Sequence, residues 1–157
     1  MTTHPNAAAI ERFYRAFDAR DAAAMNELYA PDATFEDPAF GRLDGDEVRA
    51  MWTMLTSQAK DLSIVASDIR ADDETGSAHW RAEYTFSATG RPVVNEIDAT
   101  FRFRDGLVVE HRDSFSFAKW ARQALGAPAL VLGTNPAGQA LVRRRARGQL
   151  KAHMERG

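Results

Sequence analysis

The hydrophobic pattern of this chain changes its period once, near residue 60, and that change restricts the class of fold. Before residue 60 the apolar residues recur at helical spacing, first at Ile10, Phe13, Tyr14 and Phe17. After residue 60 apolar and polar residues alternate, as they do along strands with one buried face. Helices grouped ahead of strands favour an α+β domain with an antiparallel sheet, and they argue against a doubly wound parallel sheet.

The same periods predict the individual elements. Three helices are expected before residue 60, beginning near Asn6, Asp21 and Asp46. A short extended segment is expected at residues 33–36. Four strands are expected at residues 62–69, 78–87, 93–104 and 107–117, separated by turns of which Asp105-Gly106 is the strongest signal.

The C-terminal 19 residues differ in charge from the rest of the chain. They carry six basic side chains and one acidic one, so the tail is +5 and the remaining 138 residues are −7. We predict a domain over residues 5–118 and a helical basic extension over 119–157, with its last helix at 137–154. We expect that helix to pack on its own acidic domain or on a partner subunit, with residues 130–132 docking it on the domain. The alternative is that it binds an acidic partner or a membrane surface.

Several function classes are excluded by what the sequence lacks. Without cysteine there is no disulfide framework, no thiolate nucleophile and no cysteine-bound zinc. Neither a glycine-rich phosphate loop nor a Gly-x-Ser-x-Gly elbow occurs, and a net charge of −2 gives no reason to expect nucleic-acid binding. No apolar run approaches the about 20 residues of a membrane helix, and the N-terminus does not resemble a secretory signal. We therefore expect a cytoplasmic protein that binds neither nucleic acid nor a membrane.

The strongest candidate for chemistry lies on the last predicted strand. His111 and Asp113 share a face with Leu107, Phe115 and Phe117, so the alternation points two polar side chains toward the core. An Asp two residues along a strand can hydrogen-bond an imidazole, fix its tautomer and raise its basicity. The pattern leaves three interpretations open. The two side chains form a buried pair that satisfies its own hydrogen bonds, or they contact a ligand in a cavity, or His111 is a general base that Asp113 orients.

A second candidate is the acidic pair Glu36 and Asp37 before Pro38. Adjacent residues on an extended segment point to opposite sides, so at most one carboxyl group faces inward. Burial would raise the pKa of that carboxyl group toward the range useful for a base. The alternative is a turn-forming Asp before proline.

Six further side chains are candidates for contacting a substrate. By alternation or helical spacing they face inward, and the polar tips of most of them need partners, which is consistent with a partly wet pocket. The set is Tyr14, Trp52, Trp80, Tyr84, Asn95 and Phe115. The alternative is that the aromatic members simply fill the core.

A metal site would have to be built from the same residues. His111 and Asp113 could offer two ligands and Asp37 a third, but no two histidines lie four residues apart on a helix. We predict neither a metal nor a cofactor.

Three segments resemble one known family. Residues 13–21 (FYRAFDARD), 28–38 (LYAPDATFEDP) and 101–113 (FRFRDGLVVEHRD) are similar to nuclear-transport-factor-2-like domains, and most of all to their ketosteroid isomerase and SnoaL-like polyketide cyclase branch. The resemblance covers roughly residues 7–118. It implies a cone-shaped, curved antiparallel sheet wrapped around N-terminal helices, a deep pocket, and a homodimer formed through the sheet.

The resemblance also implies roles for individual residues. Asp37 falls where the isomerases keep the carboxylate that shuttles a proton. Phe13 and Ala99 stand at the positions of the two isomerase oxyanion donors, and neither side chain can donate. The resemblance therefore favours the polar cavity of SnoaL-like proteins, lined here by His111 and Asp113, over a steroid isomerase.

Two functions follow from these observations. The first is a cofactor-independent isomerase or cyclase, in which Asp37, or His111 oriented by Asp113, removes a proton next to a carbonyl group of a small hydrophobic ligand. The second is a non-catalytic ligand-binding or dimerisation module on the same fold.

Overall fold

The structure, a computed structural model, describes residues 4–58, 60–126 and 136–156. These residues form five helices and six strands. The helices are α1 (Pro5–Asp18), α2 (Ala22–Asn26), α3 (Asp46–Gln58), α4 (Phe117–Leu125) and α5 (Pro136–Arg156). The strands are β1 (Tyr29–Asp37), β2 (Gly41–Asp44), β3 (Ser63–Ala71), β4 (Thr75–Phe86), β5 (Arg91–Arg104) and β6 (Leu107–Ser114).

All six strands belong to one curved, open sheet in the order β2-β1-β6-β5-β4-β3. Neighbouring strands pair antiparallel except β1 and β6, which run parallel. Because β3 to β6 are joined to one another by short turns, β4, β5 and β6 each lie beside the strand that precedes them. The predicted α+β fold, a curved sheet with N-terminal helices, is confirmed.

The first strand is longer than the sequence predicted. β1 covers nine residues, whereas an extended segment was expected only at residues 33–36. Pro31 lies where the pairing of β1 with β6 shifts register between Tyr29 and Thr34. A proline has no N–H to give a ladder, so strands accept it at such irregularities. Because proline is uncommon inside strands, Pro31 also led the sequence pattern to predict a strand that begins too late.

The alternation predicted for β5 is confirmed over the whole strand. Every second residue from Val93 to Phe103 is buried, and every residue between them is exposed. The inward residues include Asn95, a polar side chain on an otherwise apolar face. The inward side chains of β5 therefore identify the face of the sheet that the helices cover.

The start of β6 departs from the predicted alternation. Val108 is fully buried, and Leu107 is 37% exposed although it was expected on the inward face. The pairing of β5 with β6 shifts register between Arg102 and Phe103, opposite this point. A bulge of this kind reverses the parity of a strand. Beyond it the predicted inward placement of His111 and Asp113 is confirmed, with 1% and 4% exposed.

The core lies between the sheet and helices α1 and α3. Phe13 of α1 packs edge-on against Trp52 of α3, with ring centroids 5.5 Å apart, and Trp52 packs in the same way against Phe35 of β1. Each fully buried side chain of this size contributes about 1.5–3 kcal/mol. The candidate site lies directly next to this aromatic layer.

The basic helix α5 packs back onto the domain. It lies against α3, and its Leu150 is 2% exposed within the main core. Residues 130–132, predicted to dock the tail, lie outside the described residues. In the described ranges, we find no helix with the length and apolar character needed to span a bilayer.

Candidate active site

A cavity of about 860 Å³ opens between the sheet and helices α3, α4 and α5. Most of its walls are apolar, with aromatic side chains from the sheet and from helices. Among the described residues that line it, three are charged: Asp37, Asp113 and Arg145. A mostly apolar cavity with a few convergent polar groups is the usual form of a small-molecule site.

Asp37 ends β1 and lines this cavity. The N–H of Phe40 donates a 2.6 Å hydrogen bond to Oδ1 of Asp37, which closes the turn after Pro38. Burial above all, together with the nearby charge of Asp113, raises the pKa of Asp37 to about 7, although the Phe40 N–H and the charge of Arg143 oppose the rise. Asp37 is therefore a carboxyl group that gains and loses a proton near neutral pH.

The neighbouring acid points the other way, as predicted. Glu36 lies on the outer side of β1, where its Oε1 is 3.6 Å from Nη2 of Arg112. The Arg112 side chain is mostly exposed, and that of Glu36 is half-buried. Of the two adjacent acids, Asp37 is thus the one that reaches the cavity.

A buried chain of hydrogen bonds lies behind the other carboxylate. Nε1 of Trp52 donates to the hydroxyl of Tyr29 at 2.9 Å, and that hydroxyl lies 2.8 Å from Nδ1 of His111. Nε2 of His111 lies 2.8 Å from Oδ1 of Asp113. With a neutral imidazole the bonds run in one direction: Tyr29 donates to Nδ1, and Nε2–H donates to Asp113. The chain orients the Asp113 carboxylate toward the cavity.

His111 itself does not line the cavity. Aromatic rings enclose it, with the centroid of Phe101 at 4.4 Å and that of Phe35 at 5.0 Å. Both of its nitrogens are occupied by Tyr29 and Asp113. The imidazole therefore positions Asp113, which does line the cavity, and has no free nitrogen with which to take a ligand's proton.

Two aromatic side chains on the cavity wall carry a hydrogen-bond donor that has no acceptor among the described residues. Nε1 of Trp80 is buried and has no hydrogen-bond partner among the described residues. The hydroxyl of Tyr84 accepts a 2.8 Å hydrogen bond from Nε1 of Trp120, which leaves its own proton free to donate. Burial raises the pKa of Tyr84 above its ordinary value, so that proton stays in place. Either group can donate to an oxygen of a bound molecule.

Seven of the nine predicted site residues line the cavity. They are Asp37, Asp113, Trp52, Trp80, Tyr84, Asn95 and Phe115. His111 lies behind the wall, and so does Tyr14, whose hydroxyl is buried without a hydrogen-bond partner among the described residues. Burial, with the charge of Asp113, raises the pKa of Tyr14 well above its ordinary value. Seven of the predicted residues thus share one cavity wall, and the other two lie behind it.

Sequence reasoning missed several residues of the site. Tyr29, which joins Trp52 to His111, lies at the start of the part of β1 that was not predicted as a strand. Trp120 of α4 lines the cavity and bonds Tyr84. The inner face of α5 also contributes to the wall. The aromatic tips of Tyr29 and Trp120 were the available signal, since buried polar tips need partners.

The described residues show no metal centre. Residues 4–58, 60–126 and 136–156 contain no group of three or more His, Cys, Asp or Glu side chains arranged to hold a metal ion. The third ligand considered in the sequence, Asp37, does not join His111 and Asp113 in such a group.

Comparison with known proteins gives one family match. A family profile described as the SnoaL-like domain matches residues 10–111. No curated protein matches the chain.

Solved structures resemble this one over most of their length. IdmH of Streptomyces antibioticus, a proposed polyketide cyclase, is 25% identical, with a TM-score of 0.65 over 79% of this chain and 100% of its own. A proposed SnoaL-like polyketide cyclase of Jannaschia sp. CCS1 is 15% identical, with a TM-score of 0.68 over 79% of this chain and 93% of its own. An NTF2-like protein of unknown function from Burkholderia pseudomallei is 18% identical, with a TM-score of 0.66 over 77% and 98%. The last two show similarity of fold alone.

Proposed function

This chain belongs to the SnoaL-like domain family, and from its cavity we propose that it removes a proton next to a carbonyl group of a small hydrophobic ligand. The removal initiates an isomerisation or a ring closure, and neither step requires a cofactor. IdmH, 25% identical, is described as a proposed polyketide cyclase, and ring closure of this kind is consistent with that description.

One observation carries the proposal: the carboxyl group of Asp37 lies on the wall of a mostly apolar cavity and has a pKa of about 7. A general base is most effective when its pKa is near the working pH, because it is then both ionised and basic. Asp113 lines the same cavity, and its charge helps to raise the pKa of Asp37. We assign the role of base to Asp37 rather than to His111, whose two nitrogens are engaged.

Residues of the cavity wall can supply or accept every proton that moves in the proposed reaction. The Asp37 carboxylate takes a proton from the carbon next to the carbonyl group, and the electrons of that C–H bond form an enolate. Trp80 or Tyr84 donates a hydrogen bond to the enolate oxygen as its charge develops. In an isomerisation the proton returns from Asp37 to another carbon. In a ring closure the enolate carbon attacks a second carbonyl group, and the new alkoxide takes the proton from Asp37.

The test is an assay that follows the proton transfer alone. A β,γ-unsaturated cyclic ketone is incubated with the protein, and its conjugated isomer is measured by ultraviolet absorbance. Replacing Asp37→Asn is expected to lower the rate by at least about 100-fold, the usual effect of losing a positioned base. Glu36→Gln is the matched control, because it removes the adjacent carboxyl group on the outer face. Equal rates for Asp37→Asn and the wild type would contradict the assignment.

The hydrogen bonding of His111 favours a second function. Its hydrogen bonds are satisfied within the protein, which suits a structural pair in a cavity that binds ligands without changing them. This binding module would retain hydrophobic ligands in the cavity and show no rate that depends on Asp37. The same assay, run beside a binding measurement, separates the two functions.

We further propose that the protein acts in the cytoplasm as a homodimer formed through the outer face of the sheet. That face carries charged side chains interspersed with exposed apolar ones, Val65 and Val94. Light scattering after gel filtration is expected to give twice the 17.4 kDa mass of the chain. A monomer mass across the micromolar range would contradict the dimer, and cell fractionation tests the location.

A further inference from the structure

The C-terminal helix α5 presents two stripes of side chains to the domain. Gln139, Arg143 and Arg147 recur every four residues and face the turn between β1 and β2. A second stripe, displaced around the helix, lines the cavity. Its members are Leu141, Val142, Arg145, Ala146 and Gln149. Residues four apart lie on one side of a helix, so each stripe is continuous.

The first stripe anchors the helix to backbone carbonyl groups. Nε2 of Gln139 donates to the carbonyl oxygen of Pro38 at 3.2 Å. Nη1 of Arg147 donates to the carbonyl oxygens of Phe40 at 3.0 Å and Arg42 at 2.7 Å. These bonds fix α5 beside the residues that follow Asp37.

A close backbone approach supports the same anchor. Gly41 has a φ of +72°, and a Cβ there would lie 3.0 Å from Cδ of Arg143. A residue other than glycine would be strained at this φ and would press on the Arg143 side chain. The turn is therefore shaped to receive α5.

The second stripe carries one charge, and that charge is unused. Arg145 makes no hydrogen bond or ion pair with any residue that the structure describes, whereas Arg143 and Arg147 on the other stripe are engaged. Arg145 is also the one basic side chain among the described residues of the cavity wall. An anchored helix thus holds a free guanidinium group at the edge of a mostly apolar cavity.

We infer that Arg145 is a specificity residue of the cavity, and that it binds a carboxylate carried by the hydrophobic ligand. A guanidinium group matches a carboxylate with two parallel hydrogen bonds. The other two charges of the wall, Asp37 and Asp113, repel an anion, so the acidic end of a ligand is directed to Arg145. This inference deepens the proposed function and rests on it in taking the cavity as the ligand site.

The test compares two probes of the same size and shape. 2-Naphthoate carries a carboxylate, and 2-acetonaphthone carries a neutral ketone in its place. Their dissociation constants are measured by calorimetry for the wild type, for Arg145→Gln and for Arg144→Gln. Arg144→Gln is the matched control, because it removes the same charge from the adjacent residue, which is also exposed but does not line the cavity.

The wild type is expected to bind 2-naphthoate more tightly than 2-acetonaphthone. Arg145→Gln is expected to weaken 2-naphthoate about tenfold, as for a lost hydrogen bond to a charged group, and to leave 2-acetonaphthone unchanged. Arg144→Gln should alter neither. Circular dichroism of each variant verifies the fold, and Arg145→Glu is expected to reverse the preference toward 2-naphthylmethylammonium.

The outcomes separate this inference from the proposed function. If 2-acetonaphthone binds and Arg145→Gln leaves 2-naphthoate unchanged, the inference is wrong while the cavity remains a ligand site. If neither probe binds the wild type, the inference is wrong, and the ketone assay decides the proposed function separately. If 2-naphthoate depends on Arg145 but the ketone assay shows no dependence on Asp37, the inference holds and the protein is a binding module.

Discussion

The hydroxyl of Tyr29 lies 2.8 Å from Nδ1 of His111, in a part of the core closed to solvent. That contact ties β1 to β6, the one parallel pair in the sheet. It also determines which nitrogen of the imidazole is free to donate to Asp113. A tyrosine at the start of one strand thus orients a carboxylate near the end of another.

Replacing Tyr29→Phe is expected to destabilise the protein. The change leaves two buried polar atoms without a partner, Nε1 of Trp52 and Nδ1 of His111. Each buried unsatisfied group costs about 1–3 kcal/mol, so the expected loss in the free energy of unfolding is about 2–4 kcal/mol. Urea denaturation of wild type and variant measures it.

Tyr14→Phe is the matched control for this change. It removes a hydroxyl that is equally buried but has no hydrogen-bond partner among the described residues. Removing an unsatisfied group is expected to leave the stability unchanged or to increase it. If the two variants lost the same stability, the hydrogen bonds of Tyr29 would not be the cause.

Much of the fold and of the cavity wall could be predicted because one face of the sheet is buried. Along β5 burial alternates strictly, so parity alone placed Asn95 inward. The same rule placed His111 and Asp113 inward on β6, and a bulge reversed it at Leu107 and Val108. Parity is reliable where the register is regular, and a sequence does not show where a bulge falls.

The rest depends on contacts between residues far apart in the chain. Nothing near Arg145 indicates that it lines the same cavity as Asp37, because that proximity arises from the docking of α5 on the turn after β1. The pKa of Asp37 likewise depends on burial by several elements and on the charge of Asp113. Local patterns give the faces of elements, and tertiary packing decides which faces meet.

The activity is expected to rise with pH through about 7. Asp37 acts as a base only when ionised, and its pKa in the folded protein is about 7. Below that pH the rate should fall about tenfold per unit, and above it the rate should level off. The pH profile of kcat/KM measures this, and a profile flat from pH 5 to 9 would contradict the role of Asp37.

Asp37 also makes the stability depend on pH, with the opposite sign. Its pKa is raised in the folded state from an ordinary value of 3.8, so between pH 4 and 7 the folded protein binds more protons at this site. The contribution of Asp37 to stability therefore falls as the pH rises through that window. Comparing the urea midpoints of wild type and Asp37→Asn across it isolates the effect, since asparagine does not titrate.

Replacing Arg143→Met is expected to move the pH profile to higher pH. The positive charge of Arg143 lowers the pKa of Asp37, so its removal lets that pKa rise. The rising limb of kcat/KM should shift toward alkaline pH while the rate above the limb is retained. Arg144→Met removes the same charge from an exposed position and should shift the limb less. If the rising limb of the pH profile shifted equally in both variants, the cause would be the net charge of the protein and not the closeness of Arg143 to Asp37.

On the outer face of the sheet, His79 is expected to titrate above its ordinary pKa. Its Nδ1 lies 2.9 Å from Oδ1 of Asp98 and its Nε2 2.8 Å from Oε1 of Glu96, and these hydrogen bonds raise the pKa above 6.5. A raised histidine pKa contributes stability that is fully present below pH 6.5 and is lost as the pH rises through the folded-state value.

NMR titration of the His79 ring measures this shift directly. Asp98→Asn removes the partner with the larger effect, so the pKa of His79 should drop more in that variant than in Glu96→Gln. Both carboxylates are exposed, so added salt should also weaken the shift. A wild-type pKa at or below 6.5 would mean that the two carboxylates do not hold the imidazolium in solution.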